Sequence, residues 1–574
     1  MIIHYEFICL FLYISKCQAE IVNQFVHQKN QSLQSFTYLG DTPYQNQTSK
    51  SPIITTALRV QRDIAINITI DQLIWPSLEL NTAFFGKDYS VQRLSKVNNV
   101  LQMGYNRLVL DIYWEPTQQE WQLCPFSLKD INTTIVDVFL PNNYVCSSKY
   151  KFRNFLESIN NYLISTEVVT NSKKTNLLFL ILNLHDLGTT TINVNNTAES
   201  STSVEMSDSN LGQIIQNSIS SYTSSSSSKS PRIYTPLNLS NYHANLYASF
   251  NRDNPPSYSQ QFSNISNIWP EWLYLIEQKV QLLVGFGTIS PGPTSFRITS
   301  MDYDTIFDAQ AINGFMNTTI ETQCPSNTSW AFINDHKIPF TYTSALNVTQ
   351  CNYSPYFTHS NYSDNHSLYS TYDNSSHLAD NILSTIWSWD VNEPRDIPHL
   401  RCAAMSKENG RWKATNCVDQ YRVACRKLRE LDTWILTQHT YNYERSLTAC
   451  PEDYVFDVPR IPRQNTILKR IIDYSNITED RVWINLNLPY NIDNCWVVGR
   501  YGTCWWFNDN AQEFIGLIRT SIIGGVIILI FVSIFAWIKC ARMWRNRNSR
   551  SRKAMVKAML AKREYVTVPV SWFS

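Results

Sequence analysis

The sequence predicts a multidomain chain: an α/β region with parallel strands, then a smaller α+β region, then one transmembrane helix. Three observations predict this order. Apolar runs of strand length alternate with amphipathic helices in the first half, closely spaced cysteines and tryptophans follow Cys324, and a long uncharged run lies near the C-terminus. With 574 residues the chain exceeds one typical core, so we expect several domains.

The two ends of the chain predict a secreted ectodomain with a membrane anchor. Residues 1–19 hold an apolar run and a Cys17-Gln18-Ala19 ending, which is typical of a cleaved signal peptide, with an uncleaved anchor as the alternative. Residues 520–538 carry no charge and, at ~1.5 Å per residue, are long enough to cross a bilayer. The basic segment 539–574 favours a cytosolic tail. We therefore expect a type I single-pass protein of the secretory pathway, between endoplasmic reticulum and cell surface.

The formal charge differs in sign between the two sides of the predicted membrane. The whole chain carries +1, and the tail has ten basic residues and one acidic residue, which leaves about −8 for the ectodomain. Such an ectodomain repels phosphate backbones, so we expect no direct nucleic-acid partner. The transmembrane helix and the basic tail are expected to contact membrane lipid.

The first half alternates helix and strand patterns. Strands are predicted at 64–70, 107–112, 177–184 and 282–286, and helices at 91–103, 152–166 and 271–280. The Ser- and Asn-rich stretch 188–267 is predicted to be a disordered insertion, because it buries too little apolar area to offset its ordering entropy. We place a TIM-barrel-like lumenal domain at 20–320, a second domain at 321–430 and a Cys/Trp-rich membrane-proximal module at 431–514.

Several acids and one histidine follow presumed strands, where barrel enzymes place their chemistry: Asp111, Glu115, His185, Asp186, Asp302 and Asp304. Loop acids or helix caps are the alternative explanation for Asp111 and Glu115. The region resembles the phospholipase-C-like phosphodiesterase barrel, and this resemblance implies a pair of catalytic histidines. His185 is the only histidine that we place at a strand end. We therefore expect no catalytic residue, no metal and no cofactor, with a lumenal phosphodiesterase as the alternative.

The cysteine-rich region resembles a C-type-lectin-like domain. The features that carry this resemblance are Trp387-Ser388-Trp389, Asn392-Glu393-Pro394, Gly410-Arg411-Trp412, an upstream helix with Ala345, and the cysteines Cys351, Cys402, Cys417 and Cys425. The resemblance implies disulfides from Cys402 to Cys417 and from Cys351 to Cys425. An unrelated disulfide-rich module is the alternative.

The lectin calcium site is altered in this chain. Where that family has Glu-Pro-Asn-Asp and Trp-Asn-Asp, this sequence has Glu393-Pro394-Arg395-Asp396 and Trp412-Lys413-Ala414. Two cations and a methyl group replace oxygen ligands, so we expect no calcium there and a protein-binding or scaffolding role instead.

The remaining ectodomain cysteines and the Asn-x-Ser/Thr triplets predict further covalent features. An even set of ten cysteines in an oxidising compartment favours disulfides over metal ligands. Cys495 and Cys504 are close enough to pair, and Cys124 with Cys146 and Cys324 with Cys450 follow by elimination. Candidate glycosylation sites, of which we expect about half to two-thirds to be used, are Asn30, Asn46, Asn67, Asn132, Asn195, Asn238, Asn264, Asn317, Asn327, Asn347, Asn352, Asn361, Asn365, Asn374 and Asn476.

Three stretches of sequence, together with the signal peptide, the lectin-like region and the anchored basic tail, resemble the fungal family named maintenance of telomere capping protein 6. They run from Gln61 to Ile70, from Leu108 to Pro116 and from Trp121 to Pro125. The resemblance implies a type I membrane glycoprotein that is genetically linked to telomere capping. We expect a non-enzymatic protein whose lumenal modules bind or organise a lumenal or cell-wall protein or glycan.

Overall fold

The computed structural model describes residues 52–128, 137–187, 206–219, 222–223, 229–250, 268–290, 295–312, 316–317, 329–335, 338–359, 375–489, 494–500, 502–506, 530–538 and 550–562. Residue contacts divide the chain into two units, Met1–Gly502 and Thr503–Ser574. The second unit is helical at 530–538 and 550–562. The predicted signal peptide lies outside the described residues, and so does 520–529 of the predicted span. Among the described residues, no helix has the length and apolar character needed to cross a bilayer.

Eight parallel strands form the first sheet. In chain order they are β1 Ser77–Glu79, β2 Arg107–Glu115, β3 Leu178–Asp186, β4 Ile233–Tyr234, β5 Leu282–Ile289, β6 Met316–Asn317, β7 Phe332–Asn334 and β8 Ser354–Phe357. Their spatial order is β4-β5-β3-β2-β1-β8-β7-β6, with Glu120–Gln122 paired antiparallel to β2. Within the described ranges no pairing joins β4 to β6. The result is a barrel-like sheet that is open at one seam.

The strands form because their side chains alternate between two buried faces. Leu178, Leu180 and Leu182 of β3 and Leu108 and Leu110 of β2 share the outer core with the helices. The helices of this region are α1 Pro52–Ile64, Val91–Ser95, Val97–Met103, α2 Phe152–Ser165, Val168–Asn171, α3 Leu211–Ser218, Pro236–Phe250, Trp272–Glu277, Ser300–Tyr303, Ala309–Ile312, α4 Tyr342–Gln350 and Ser375–Leu383.

Aromatic rings fill the interior of the sheet near the amino-terminal ends of its strands. The ring of Phe179 lies 4.8 Å from Trp75 and 5.4 Å from Trp330, and Trp330 in turn lies 5.0 Å from Trp269. The guanidinium of Arg107 stacks 4.1 Å above the ring of Phe332, and burial lowers the pKa of Arg107 to about 10. The interior is therefore packed at this end, so that the polar residues further along the strands form the floor of an open end.

Several predicted elements of this region are confirmed and others are wrong. The strands at 107–112, 177–184 and 282–286 and the helix at 152–166 are present, and Gly104 ends a helix with a φ of 113°. The predicted strand at 64–70 is wrong, because the chain is helical to Ile64 and then turns. The apolar residues Ala57, Val60 and Ile64 repeat at helical spacing, which explains the difference.

The predicted insertion and the first domain boundary also need correction. Within 188–267, α3 buries Leu211 and Ile215 in the barrel core, and β4 extends the sheet. A few apolar residues in a polar stretch are enough to anchor these segments. The predicted boundary at 320 divides the sheet, because β7 and β8 lie beyond it and pair with β6 and β1. The helix assigned to the lectin-like region, α4, connects β7 to β8.

The second sheet crosses the other predicted boundary, at 430. Its strands are β9 Cys402–Ser406, β10 Trp412–Thr415, β11 Arg422–Lys427, β12 Trp434–Leu436, β13 Tyr454–Phe456 and β14 Arg481–Asn487. The order is β10-β9-β14-β11-β12, with β13 also paired to β11. The helices Tyr443–Ser446 and α5 Pro462–Tyr474 lie between these strands. The cysteine-rich region and the predicted membrane-proximal module therefore share one α+β core.

Helix α1 belongs to this second core although it is far away in sequence. Ala57, Val60 and Ile64 share buried contacts with Leu468 and Ile484. The side chain of Gln61 accepts hydrogen bonds from the backbone N–H groups of Trp387 and Ser388, at 2.9 and 3.2 Å. The contacts of α1 therefore join the barrel region to the second sheet.

The disulfides confirm two predicted pairs and correct two. Cys124 is bonded to Cys146, and Cys402 is bonded to Cys417, as predicted. Cys425 is bonded to Cys450, so the pairs Cys351–Cys425 and Cys324–Cys450 are wrong. The physical reason is that β13 pairs with β11 and brings the two cysteines to a Cα separation of 5.7 Å. Cys351, Cys495 and Cys504 are also disulfide-bonded.

Short strands occupy the connections. They are Asp88–Tyr89, Asp137–Leu140 and Tyr144–Ser147 in a three-stranded sheet, Ser207–Asp208 paired with Phe296–Arg297, and Tyr222–Thr223 paired with Lys229–Ser230. Single helical turns lie at Ile70–Gln72, Leu80–Phe85, Pro141–Asn143 and Ser172–Lys174.

Candidate functional site

The neighbouring parallel strands β2 and β3 bring Asp111 and His185 together. Nε2 of His185 lies 3.6 Å from Oδ1 of Asp111, and Nδ1 of His185 lies 2.8 Å from the hydroxyl of Ser290. Asn183 donates to the same Asp111 oxygen at 2.7 Å. The ring of Tyr113 stacks on His185 with centroids 5.0 Å apart. In the parallel pairing of β2 with β3, Asp111 lies opposite Asn183 and Tyr113 lies opposite His185. This pairing places a carboxylate beside a histidine, towards the end where barrels bind their ligands.

Glu79, Asp335 and His359 extend the site from β1, β7 and β8. Burial raises the pKa of Glu79 above its usual value, Asp111 and Asp335 raise it further, and His359 lowers it. Asp335 accepts from the N–H and the hydroxyl of Thr358, at 2.7 and 2.8 Å, which fixes the segment that carries His359. Among the described residues, Nε2 of His185 and Nε2 of His359 are both buried without a hydrogen-bond partner. These atoms are available to a ligand that brings its own polar groups.

Four other predicted residues lie elsewhere. Glu115 is buried and accepts from the N–H and the hydroxyl of Thr117. Asp186 accepts from Ser295, and the buried Asp302 accepts from Thr299, Ser209 and Gly212. Asp304 is exposed at the end of the helix Ser300–Tyr303. Asp302 and Glu115 are local structural groups in this fold.

Sequence reasoning missed Glu79, Asp335 and His359. Each follows or ends a strand of three or four residues, which is too short to show a period. The statement that His185 is the only histidine at a strand end is therefore wrong, because His359 follows β8. A signal was present in the alternation of Ser354, Tyr356 and Thr358 with apolar neighbours, but it is only a few residues long.

The carboxylates of Asp390 and Glu393, in the loop before β9, pair with basic side chains. Oε1 of Glu393 lies 2.8 Å from Nε of Arg395, and Oε2 of Glu393 accepts from the N–H groups of Arg395 and Ala414. Nζ of Lys413 lies 3.2 Å from Asp390, and the pKa of Asp390 is below its usual value although burial opposes this shift. Arg395 and Lys413 therefore form ion pairs with the carboxylates of Glu393 and Asp390.

The candidate glycosylation sites differ in exposure. Asn347 and Asn476 are exposed, whereas Asn67 and Asn238 are half-buried. Asn352 is 5% exposed and its side-chain nitrogen donates to the carbonyl of Gln72. This hydrogen bond disagrees with glycosylation of Asn352 in the folded protein. Asn317 lies in β6. The other candidates lie outside the described residues: Asn30, Asn46, Asn132, Asn195, Asn264, Asn327, Asn361, Asn365 and Asn374.

Comparison with known proteins agrees with the barrel. The family model of the MTC6 partial TIM-barrel domain matches residues 48–379. A maintenance of telomere capping protein 6 from Candida tropicalis is 25% identical, over 87% of this chain and 92% of the relative. Relatives with the same name from Debaryomyces hansenii and Komagataella phaffii are also 25% identical, over 90% and 77% of this chain and 95% and 82% of their own.

Among solved structures, a calcium-dependent phosphoinositol-specific phospholipase C from Pseudomonas sp. matches 55% of this chain and 90% of its own, with 11% identity and a TM-score of 0.24. The family model covers more than half of the 574 residues, and it includes every strand of the first sheet. The chain therefore belongs to the MTC6 family of maintenance of telomere capping proteins.

Proposed function

We propose that this protein is a non-enzymatic type I membrane glycoprotein whose lumenal barrel binds a neutral glycan through the site around Asp111 and His185. The observation that carries this proposal is the Asp111 carboxylate beside the stacked rings of Tyr113 and His185. The carboxyl groups of Glu79 and Asp335 add negative charge there, because Asp111 and Asp335 both raise the pKa of Glu79. Several carboxylates at one site oppose an anionic ligand and suit hydroxyl donors.

The ring pair at the site supports a sugar. Tyr113 and His185 form a stacked aromatic surface, and sugar rings pack their C–H faces on such surfaces. Asp111 offers acceptor oxygens beside this surface, and Asn183 fixes the position of one of them. The Nε2 atoms of His185 and His359, which lack a hydrogen bond to any described residue, supply further polar contacts.

A binding measurement tests the glycan proposal. Full-length protein purified in detergent would be titrated with neutral mannose and glucose oligosaccharides. Asp111→Asn keeps the shape and removes the charge, and we expect it and Tyr113→Ala to weaken binding about tenfold or more. Glu277→Gln, at an exposed position on an outer helix, is the matched control. Absence of binding in the unchanged protein, or equal loss in the control, would refute the proposal.

The second sheet is proposed to act as a C-type-lectin-like scaffold that contacts proteins. Its support is the sequence pattern together with the Glu393–Arg395 and Lys413–Asp390 ion pairs, which replace metal ligands. We expect calcium chelation to leave its unfolding temperature unchanged. A clear decrease on adding a chelator would contradict this role.

The telomere effect named in the family is proposed to be indirect. An acidic ectodomain behind a membrane cannot make the Lys/Arg-to-phosphate contacts that dominate DNA affinity, and only the basic tail would reach cytosol or nucleoplasm. The test replaces the residues after Ile538 with an unrelated basic stop-transfer sequence and scores capping in a sensitised strain. Rescue is expected. Loss of capping at normal protein level and location would contradict an indirect lumenal role.

A lumenal phosphodiesterase is the second candidate, and one observation favours it. His359 gives the site a second histidine, which the resemblance to phospholipase-C-like barrels requires. The two candidate functions predict different effects of His359→Ala: only the phosphodiesterase would lose hydrolysis of a phosphodiester. If this change and His185→Ala each abolish hydrolysis of a phosphodiester by the folded full-length protein, the non-enzymatic proposal is wrong. If the unchanged protein hydrolyses no phosphodiester, the second candidate is wrong.

A further inference from the structure

A cavity of about 540 Å³ lies at the opposite end of the barrel from the proposed glycan site. Its walls come from the segments that lead into β1, β2 and β3, at 73–76, 102–106 and 173–177, and from α1. Residues 460–462 and Trp387, from the second region, line another side. The volume is in the range of small-molecule sites.

The lining of the cavity is strongly basic. Arg59, Arg62, Lys173, Lys174 and Arg460 all line it, and among the described residues no aspartate or glutamate does. Two described carboxylates lie beside the lining: Asp63 pairs with Arg62 at 2.7 Å and Asp457 pairs with Arg460 at 3.2 Å. In the described part of the chain, basic side chains therefore outnumber carboxylates at this cavity. Such an excess in a partly desolvated space attracts an anion.

Three separate segments hold the guanidinium groups in place. Nη1 of Arg62 donates to the carbonyls of Lys173 and Thr175, at 3.1 and 2.6 Å. Nη1 of Arg460 donates to the carbonyl of Ile64 at 3.0 Å, and Nη2 of Arg59 donates to that of Asn494 at 2.8 Å. These bonds fix the positions of the charges before any ligand arrives, which lowers the entropic cost of binding.

Apolar and aromatic groups complete the wall. Leu58, Trp75, Trp272 and Trp387 line the same space as the basic residues. A ligand that fits both kinds of wall has an anionic end and a body that packs on rings. Arginine and lysine together are the usual protein partners of phosphate.

We propose that this cavity binds a phosphate monoester with a ring-bearing or hydrocarbon body, either a soluble molecule or the headgroup of a lipid. The phosphate contacts Arg59, Lys173 and Lys174, and the body packs on Trp75 and Trp387. The site is separate from the glycan site and does not depend on it.

Titration of the full-length protein in detergent tests this proposal. The soluble probes are inorganic phosphate and glucose 6-phosphate, with glucose as the uncharged comparison. We expect glucose 6-phosphate to bind more tightly than glucose, and Lys174→Glu to weaken its binding about tenfold or more. The control is Lys87→Glu, which makes the same charge change at an exposed position of the barrel region. Because Lys174 is exposed, this replacement is compatible with folding; Arg59→Gln is the second variant.

Vesicles separate the two sources of phosphate. The full-length protein would be mixed with phosphatidylcholine vesicles that contain or lack phosphatidic acid. The cavity variants keep the same basic tail, so a loss of binding in them is not caused by the tail. Binding of glucose 6-phosphate that only the cavity variants lose supports a soluble ester. Binding of phosphatidic acid vesicles alone, lost in the same variants, supports a lipid headgroup. No binding of either probe, or equal loss with Lys87→Glu, overturns the proposal. Each result leaves the glycan titration of the opposite site unaffected.

Discussion

Nε1 of Trp412 donates a hydrogen bond to Oδ1 of Asn465 at 2.8 Å inside the second core. Trp412 belongs to β10 and Asn465 to α5, so the bond joins a strand before residue 430 to a helix after it. The side-chain nitrogen of Asn465 also donates to the carbonyl of Gly410 at 3.0 Å. One buried amide therefore satisfies a side chain of β10 and a carbonyl of the loop before it.

Asn465→Leu should destabilise the protein by about 1–3 kcal/mol, because it leaves the indole N–H of Trp412 and the Gly410 carbonyl buried without partners. Urea unfolding followed by tryptophan fluorescence measures the change. Asn409→Leu, at an exposed position in the same loop, is the comparison. Equal stability of the Asn465 variant and the unchanged protein would show that the amide is not structural.

Cys425→Ser should leave Cys450 as the free thiol and lower the free energy of unfolding by about 2–5 kcal/mol. Likewise, Cys402→Ser should free Cys417. Labelling with a thiol reagent followed by peptide mapping identifies the free cysteine. Labelling of Cys351 instead of Cys450 in the Cys425 variant would contradict this bond and support the Cys351–Cys425 pair that the lectin resemblance implied.

Glu79→Gln should stabilise the protein increasingly as the pH rises. The usual pKa of this carboxyl is 4.5, and burial followed by the charges of Asp111 and Asp335 raises the folded-state pKa. The folded state therefore holds the proton more tightly than the unfolded state, so stability from this group is lost as the pH rises above about 4.5. Thermal unfolding at several pH values measures the effect. Glu277→Gln is the control, and a parallel profile for both variants would contradict the prediction.

Gly287→Ala should disturb the glycan site. A methyl group at this position would meet Oδ1 of Asn183 at 2.0 Å, and Asn183 holds Asp111. We expect a destabilisation of about 1–3 kcal/mol together with weaker glycan binding. In Gly285→Ala the methyl group meets the end of the Ile312 side chain instead, at 2.3 Å. This control should lose stability and retain binding, and a similar loss of binding in both would contradict the role of Asn183.

The long apolar strands of the barrel were predictable from the sequence, and its short strands were not. β2 and β3 are buried on both faces along most of their nine residues, so that most of these residues are apolar. β1 and β7 have three residues each, which leaves no period to detect. The site followed the same rule: Asp111 and His185 lie in long strands, whereas Glu79, Asp335 and His359 end or follow short ones.

The second sheet shows a different limit of sequence reasoning. The lectin resemblance implied the bridge from Cys402 to Cys417 correctly, but the partner of Cys425 depends on the pairing of β13 with β11. Spacing carries no information on which strand lies beside which. The shared core of residues before and after 430 was hidden for the same reason.

The placement of α1 has a consequence for biosynthesis. Ala57, Val60 and Ile64 are made early, yet the residues that cover them, such as Leu468 and Ile484, are translated about 400 residues later. At roughly 5–20 residues per second, the apolar face of this helix waits tens of seconds for its partner. We expect chaperones to bind the nascent chain at this segment until the last strand, Arg481–Asn487, has emerged from the ribosome. Release from the chaperone, rather than completion of the barrel, should then set the pace of folding.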